Sequence, residues 1–362
     1  MSATHHFSQS YAEARTKFLA GARARHLDVQ THALPDWKGV DGEELAMDVV
    51  LGGVADATGL LAVTSATHGV EGYCGSGCQV GLLHDDGFWA AVTEARVAVL
   101  LVHAVNPYGF SHGRRVNEDN VDLNRNFRDF AEPIPANTAY AEIHRLLLPA
   151  TWPPPADNEE RIAAYIADRG QGAFQAAVTG GQYSFADGLF FGGARPTWSN
   201  LTLRALLRGH AAERDRLGWI DIHTGLGPRG HGEKIHAGRE LAADVARTRA
   251  WWGTEVTSFY DGSSSSALLT GIITDAVPEE CPGVEYTAIA LEYGTLPLAE
   301  VLQALRADHW RHNHPEAPIQ QRDALRRQTR AAFYVDADDW KERVYLQARE
   351  AALAAVRKLA PR

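Results

Sequence analysis

Several absences narrow the field before any motif is read. No stretch approaches the roughly 18 consecutive apolar residues of a membrane span. The opening "MSATHHFSQSYAEARTKFLAGARAR" also lacks the apolar core of a secretory signal. The expectation is a cytoplasmic protein with no membrane partner. Positive charge is in deficit, with 35 Lys and Arg against 45 Asp and Glu and a formal net charge of −10. Nucleic acids and anionic membrane surfaces favour a basic face, so no nucleic-acid partner is expected. Cysteine is scarce: Cys74, Cys78 and Cys281 are an odd number without CxxC spacing. That excludes a disulfide framework and a cysteine-only zinc site, and leaves three reduced, buried small residues. No GxSxG is present, since "GYCGSG" and "DGSSSS" both miss the spacing of a nucleophile elbow. Neither GxGxxG nor a Walker loop follows a predicted strand, which argues against dinucleotide and nucleoside-triphosphate enzymes.

What is present fits a large α/β domain. A chain of 362 residues with 45% hydrophobic content can bury a sizeable core. "LLAVTSA" (60–66) and "RVAVLLVHAVN" (96–106) are β-branched apolar runs suited to buried parallel strands. "ELAMDVVLG" near residue 50 alternates as a strand, and further strands are expected at 218–223 and 286–294. Helices are expected at 10–25, 75–83, 138–148, 158–178, 199–214, 319–332 and 338–358. Strands alternating with helices predict a mixed, mostly parallel central sheet flanked by helices on both faces. We expect one domain over residues 1–362, with a mainly helical insertion around 150–215 opened by the stiff "PATWPPPADNEE". The last helix has an apolar face that could cap the domain or form a homo-oligomer contact.

Four places at predicted strand ends carry chemistry, and open α/β sheets hold their ligands at the carboxyl ends of strands. "SATHGVEGYCGSG" (65–77) sets His68 and Glu71 three apart among glycines, so both side chains could converge on one ion. Alone, such a pair is common on exposed loops. "NPYGFSHGRRVNEDNVDLNRNF" (106–127) is rich in guanidinium and amide groups, including Arg114, Arg115, Asn124 and Arg125. Those groups suit a carboxylate grip or an oxyanion, although solvated loops are often as polar. "WIDIHTGLG" (219–227) places Asp221 and His223 on one face of a strand. His223 reads either as a core histidine or as a metal ligand backed by Asp221. Glu292 in "IALEYGT" ends an apolar strand, where a carboxylate is costly unless used or paired. Taken together, two histidines and a glutamate offer zinc three ligands and an open fourth position, the pattern of catalytic zinc. A further glutamate and an arginine would complete a hydrolase.

"HGVEG", the "NP.G" turn, "VDLNRNF" and "DIHTG" resemble the zinc carboxypeptidase superfamily, including its aspartoacylase and succinylglutamate desuccinylase branch. "FSQSYAEARTKFL", "HGVEGYCGSG", "NPYGFSHGRRVNEDNVDLNRNF", "GGQYSFADGLFFGG" and "DIHTGLGP" resemble more closely the domain of unknown function 2817, a bacterial branch of it. The resemblance implies one zinc ion per chain held by His68, Glu71 and His223, with Glu292 as general base and acid. It implies that Asn124 and Arg125 bind a substrate carboxylate. Arg115 would polarise the scissile carbonyl, with the adjacent Arg114 as the other candidate in this substrate-binding loop. Tyr260 or Tyr286 would fill the tyrosine role of the relatives. The expected activity is a metallocarboxypeptidase acting on small peptides, with an N-acyl amino acid deacylase second and a non-catalytic zinc-binding scaffold third. Substrate preference is expected to lie in the 150–215 and 255–285 segments.

Overall fold

The computed structural model describes residues 3–361. Its centre is one sheet of seven strands: β1 (Val29–Lys38), β2 (Glu44–Gly53), β3 (Gly59–Thr64), β4 (Ala98–His103), β5 (Arg216–Arg229), β6 (Gly232–His236) and β7 (Glu285–Gly294). Their spatial order is β1-β2-β4-β3-β5-β7-β6. The four middle strands run parallel, β2 and β6 join them antiparallel at the two sides, and β1 pairs antiparallel with β2 at the edge.

β3 and β4 are buried at every residue, as unbroken apolar runs require of strands covered on both faces. Alternation along them shows the two faces. Leu61, Val63, Val99 and Leu101 enter one apolar cluster with Phe18, Leu82 and Val344, from helices Tyr11–Ala24, Gly72–His84 and Asp338–Leu359. Leu60, Ala62, Leu100 and Val102 enter a second cluster with Leu203 and Leu206 from helix Trp198–His210. Each buried Leu or Val side chain among them contributes roughly 1.5–3 kcal/mol by leaving water. The C-terminal helix spends its apolar face inside the chain, with Trp340, Val344, Ala355 and Leu359 all buried. All three cysteines are free and buried. No helix among the described residues is long and apolar enough to cross a membrane.

Some elements differ from the sequence expectation, each for a physical reason. β1 carries no apolar alternation and contains Pro35, yet as an edge strand it can tolerate a missing amide hydrogen. The helix expected over 158–178 is two, Asn158–Arg169 and Gln171–Thr179. They part at Gly170, whose φ of +87° is open to glycine at little cost. Helix Leu298–Asn313 was not expected, because Arg306, Asp308 and His309 are buried on it and blur its apolar period.

Candidate metal centre and its cavity

β3, β5 and β7 end side by side, and their exits build the site. Beyond β3 the chain turns sharply at Ala66, whose φ is +57°. His68 to Glu71 are then stitched to the neighbouring loop, with Gly69 N–H donating to Arg115 O at 3.0 Å and Val70 N–H to Arg114 O at 2.8 Å. Gly69 is required there, since a Cβ would lie 2.1 Å from the carbonyl carbon of Gly109. On β5, His223 pairs in register with Glu292 of β7. After Thr224 the register shifts, and the freed Leu226 N–H donates to Glu292 Oε1 at 2.9 Å.

The structure brings His68, Glu71 and His223 together as one buried group, with a ligand atom from each within 4.8 Å of the others. His68 Nδ1 lies 3.0 Å from Glu71 Oε1 and 3.1 Å from His223 Nδ1, and His223 Nδ1 lies 2.9 Å from Glu71 Oε2. Each imidazole turns its other nitrogen to a buried carboxylate: His68 Nε2 to Asp122 at 3.1 Å and His223 Nε2 to Asp221 at 2.5 Å. In the tautomers that donate both Nε2 hydrogens outward, the two Nδ1 lone pairs and the Glu71 carboxylate face one point. That is the donor set and backing of a histidine-carboxylate metal centre. Nitrogens about 2.1 Å from a tetrahedral zinc ion stand roughly 3.4 Å apart, close to the spacing here.

The charges around this group act strongly on one another. Glu71, Asp122, Asp221 and Glu292 are four buried carboxylates around two guanidiniums, the buried Arg125 and the partly buried Arg115. Burial works against the charged form of Glu71, but His68 and His223 hold its carboxyl well below the usual range. Burial also opposes charge on His223, yet Asp221 and Glu71 hold its pKa well above the usual histidine value. Burial, and then the charge on Glu71, push Glu292 up to about 7. A carboxyl poised there can take and return a proton near neutral pH.

The other expected site residues separate clearly. Arg115 donates to Glu71 Oε1 and Asp122 Oδ2, both at 3.0 Å, and lies 2.8 Å from His68 Nε2. A guanidinium can only donate, so this contact suits a His68 with its hydrogen on Nδ1, whereas the Asp122 contact suits the Nε2–H form. Arg125 reaches only carbonyl oxygens, those of Asn124 and Thr179, and its buried Nε has no partner. Asn124 is held by Ile273 N–H on its Oδ1 at 3.0 Å. Arg115, Asn124 and Arg125 all line one cavity of about 540 Å³ with His68, His223 and Glu292. Arg114 does not. Its side chain turns away from the cavity to Asp308 at 3.0 Å and Asn120 at 2.8 Å, where it anchors the loop. Neither Tyr260 nor Tyr286 borders the cavity: Tyr260 donates to Gly238 O, and Tyr286 is buried beneath Arg239. Among the described residues no tyrosine lines it.

Asp122 escaped the sequence reading, although it stands in "VDLNRNF" two residues before the Asn-Arg pair. Phe190 escaped too. Its ring lies under both Arg115 and Arg125, at 5.3 and 5.6 Å from the guanidinium carbons. It holds φ at +53°, costly for an aromatic residue and common near functional sites. The cavity walls come from the segments expected to hold them, through Ile162, Phe174, Phe259 and Ile272, and from the unexpected helix Leu298–Asn313.

A family model described as Protein of unknown function (DUF2817) matches residues 7–347. No curated protein matches the sequence. A metallo-carboxypeptidase from Burkholderia cenocepacia is similar in structure, with a TM-score of 0.49 and 12% identity, over 98% of this chain and 71% of that one. An aspartoacylase family protein from Mesorhizobium loti gives 0.35 and 13%, over 78% and 67%. A succinylglutamate desuccinylase/aspartoacylase from Rhodobacter sphaeroides gives 0.35 and 14%, over 78% and 65%.

Proposed function

The chain belongs to the DUF2817 family, and from that premise we propose that it is a zinc-dependent hydrolase of an amide bond next to a carboxylate-bearing residue. The observation that carries the reading is the convergence of two imidazole nitrogens and a carboxylate, each imidazole backed by a buried aspartate, beside a second glutamate. His68, Glu71 and His223 would hold one zinc ion. When bound there, zinc would acidify a water molecule and polarise a carbonyl oxygen. Glu292 takes the proton from the attacking water and returns it to the leaving nitrogen. Arg115, which lines the same cavity, would stabilise negative charge developing on the carbonyl oxygen. Arg125, with carbonyl partners and an unpaired Nε, has cationic capacity left for a substrate carboxylate, and Asn124 stands beside it. Asp122 and Asp221 would orient the two histidines by accepting from their Nε2 hydrogens.

A metallocarboxypeptidase acting on short peptides is the first form of this activity. An N-acyl amino acid deacylase is the second, favoured by walls that are largely aliphatic. The test is elemental analysis of protein purified without added zinc, followed by assay on peptides and N-acyl amino acids with and without chelator. About one zinc per chain with chelator-sensitive release is expected. Glu292→Gln should abolish turnover and keep the metal; full activity in that variant would overturn the assigned role.

A further inference from the structure

We infer that the substrate of this site carries a large apolar group, an alkyl chain or a bulky hydrocarbon side chain, seated between two helical walls. The inference rests on the hydrolase reading above and names the class of substrate that reading leaves open. One wall is the helix pair Asn158–Arg169 and Gln171–Thr179, through Ile162, Ile166 and Phe174. The other is helix Leu298–Asn313, through Leu298, Leu302 and Leu305. Both walls border the same cavity as Arg115, Arg125 and Glu292. Its volume of about 540 Å³ falls within the roughly 300–1,000 Å³ range of pockets that enclose drug-sized ligands, far more than an acetyl group or a small side chain fills.

The placing of charges in this chamber favours an apolar group over a charged one. Those free to meet a ligand are gathered at the metal-centre end. The charged groups near the helical walls are already paired. Arg306 donates to Glu159 and Asn158 and to the carbonyls of Leu146 and Leu147, while Glu159 also accepts from Gln303. A basic or acidic side chain entering here would have to compete with the existing Arg306–Glu159 pair and would lose part of its hydration. An apolar group loses nothing. Leu298 is 46% exposed at the mouth, an apolar surface that such a group would cover.

The experiment uses the full chain loaded with zinc and two substrate series. One lengthens the acyl group on N-acyl-alanine from acetyl to decanoyl. The other keeps the acetyl group and varies the amino acid through alanine, leucine and phenylalanine. In one series kcat/KM should rise about three- to fourfold per added methylene until the chamber fills. A rise in the first places the hydrocarbon in the acyl group; a rise in the second places it in the amino acid. Decanoate binding, followed by calorimetry, tests the chamber without catalysis, and should be saturable and weaken at least tenfold in Leu302→Asp. If no substrate is cleaved but decanoate binds in this way, the hydrolase reading fails and the apolar chamber stands. Rates flat across both series, with no saturable decanoate binding, would overturn the inference.

Discussion

Asp221 offers the sharpest test of the metal centre, because it acts without touching the point where the donors meet. It is 2% exposed. One oxygen accepts from the hydroxyls of Thr64 at 2.6 Å and Thr67 at 2.8 Å, while the other lies 2.5 Å from His223 Nε2. Trp219 Nε1–H donates to Thr64 Oγ1 at 2.9 Å, which fixes the direction of that hydroxyl. Asp221→Asn keeps the shape and removes the charge. If the amide nitrogen faces His223, it cannot accept from Nε2–H, and the ring takes its Nδ1–H form, losing the lone pair that faces Glu71. If the amide turns over, a neutral oxygen replaces a carboxylate and the imidazole is less basic. Either way zinc affinity should fall about tenfold to a hundredfold, or about 1.4–2.8 kcal/mol. Competition against a chromophoric chelator measures this directly, with circular dichroism as the check on folding. A folded variant whose zinc affinity stays within twofold of the parent would refute the argument that Asp221 sets the histidine tautomer.

Two further outcomes follow from packing and from buried titratable groups. Gly69→Ala places a methyl group against the Gly109 and Phe110 backbone, which should cost about 1–3 kcal/mol in overpacking. It should also displace the His68 to Glu71 turn; parental melting temperature and full zinc content in the variant would contradict this. Burial lowers the pKa of His103 to about 4 and, with Arg114 adding to it, that of His309 to about 3. An unfolded chain binds these protons near pH 6.5, so the stability tied to each is complete above that pH and is lost as pH falls toward the folded-state value. For His103 the loss amounts to about 3 kcal/mol by pH 4. Urea midpoints measured from pH 7 to 4 should fall along this window, and less steeply in His103→Gln; an equal slope in both would contradict it.

Much of the architecture was legible because it rests on local pattern. The apolar runs of β3 and β4 can be satisfied only by cover on both faces, which already means a sheet between helix layers. His68, Glu71, His223 and Glu292 could be singled out because each follows or ends such a strand, where polar side chains are costly unless used. What the chain pattern could not carry was direction. Arg114 and Arg115 are neighbours of the same type, and only the fold turns one toward Asp308 and the other into the cavity. Asp122 looks like any loop aspartate until the turn brings it to His68, 54 residues earlier in the chain. Phe190 acquires its place under two arginines from a backbone conformation that an aromatic residue does not choose by itself. Helix Leu298–Asn313 hid behind buried charges whose partners lie on other elements. Residue type and spacing follow from the sequence alone, because they are local. Which charges meet, which side chains share a cavity and what that cavity excludes depend on contacts between residues far apart in the chain, and only tertiary packing decides them.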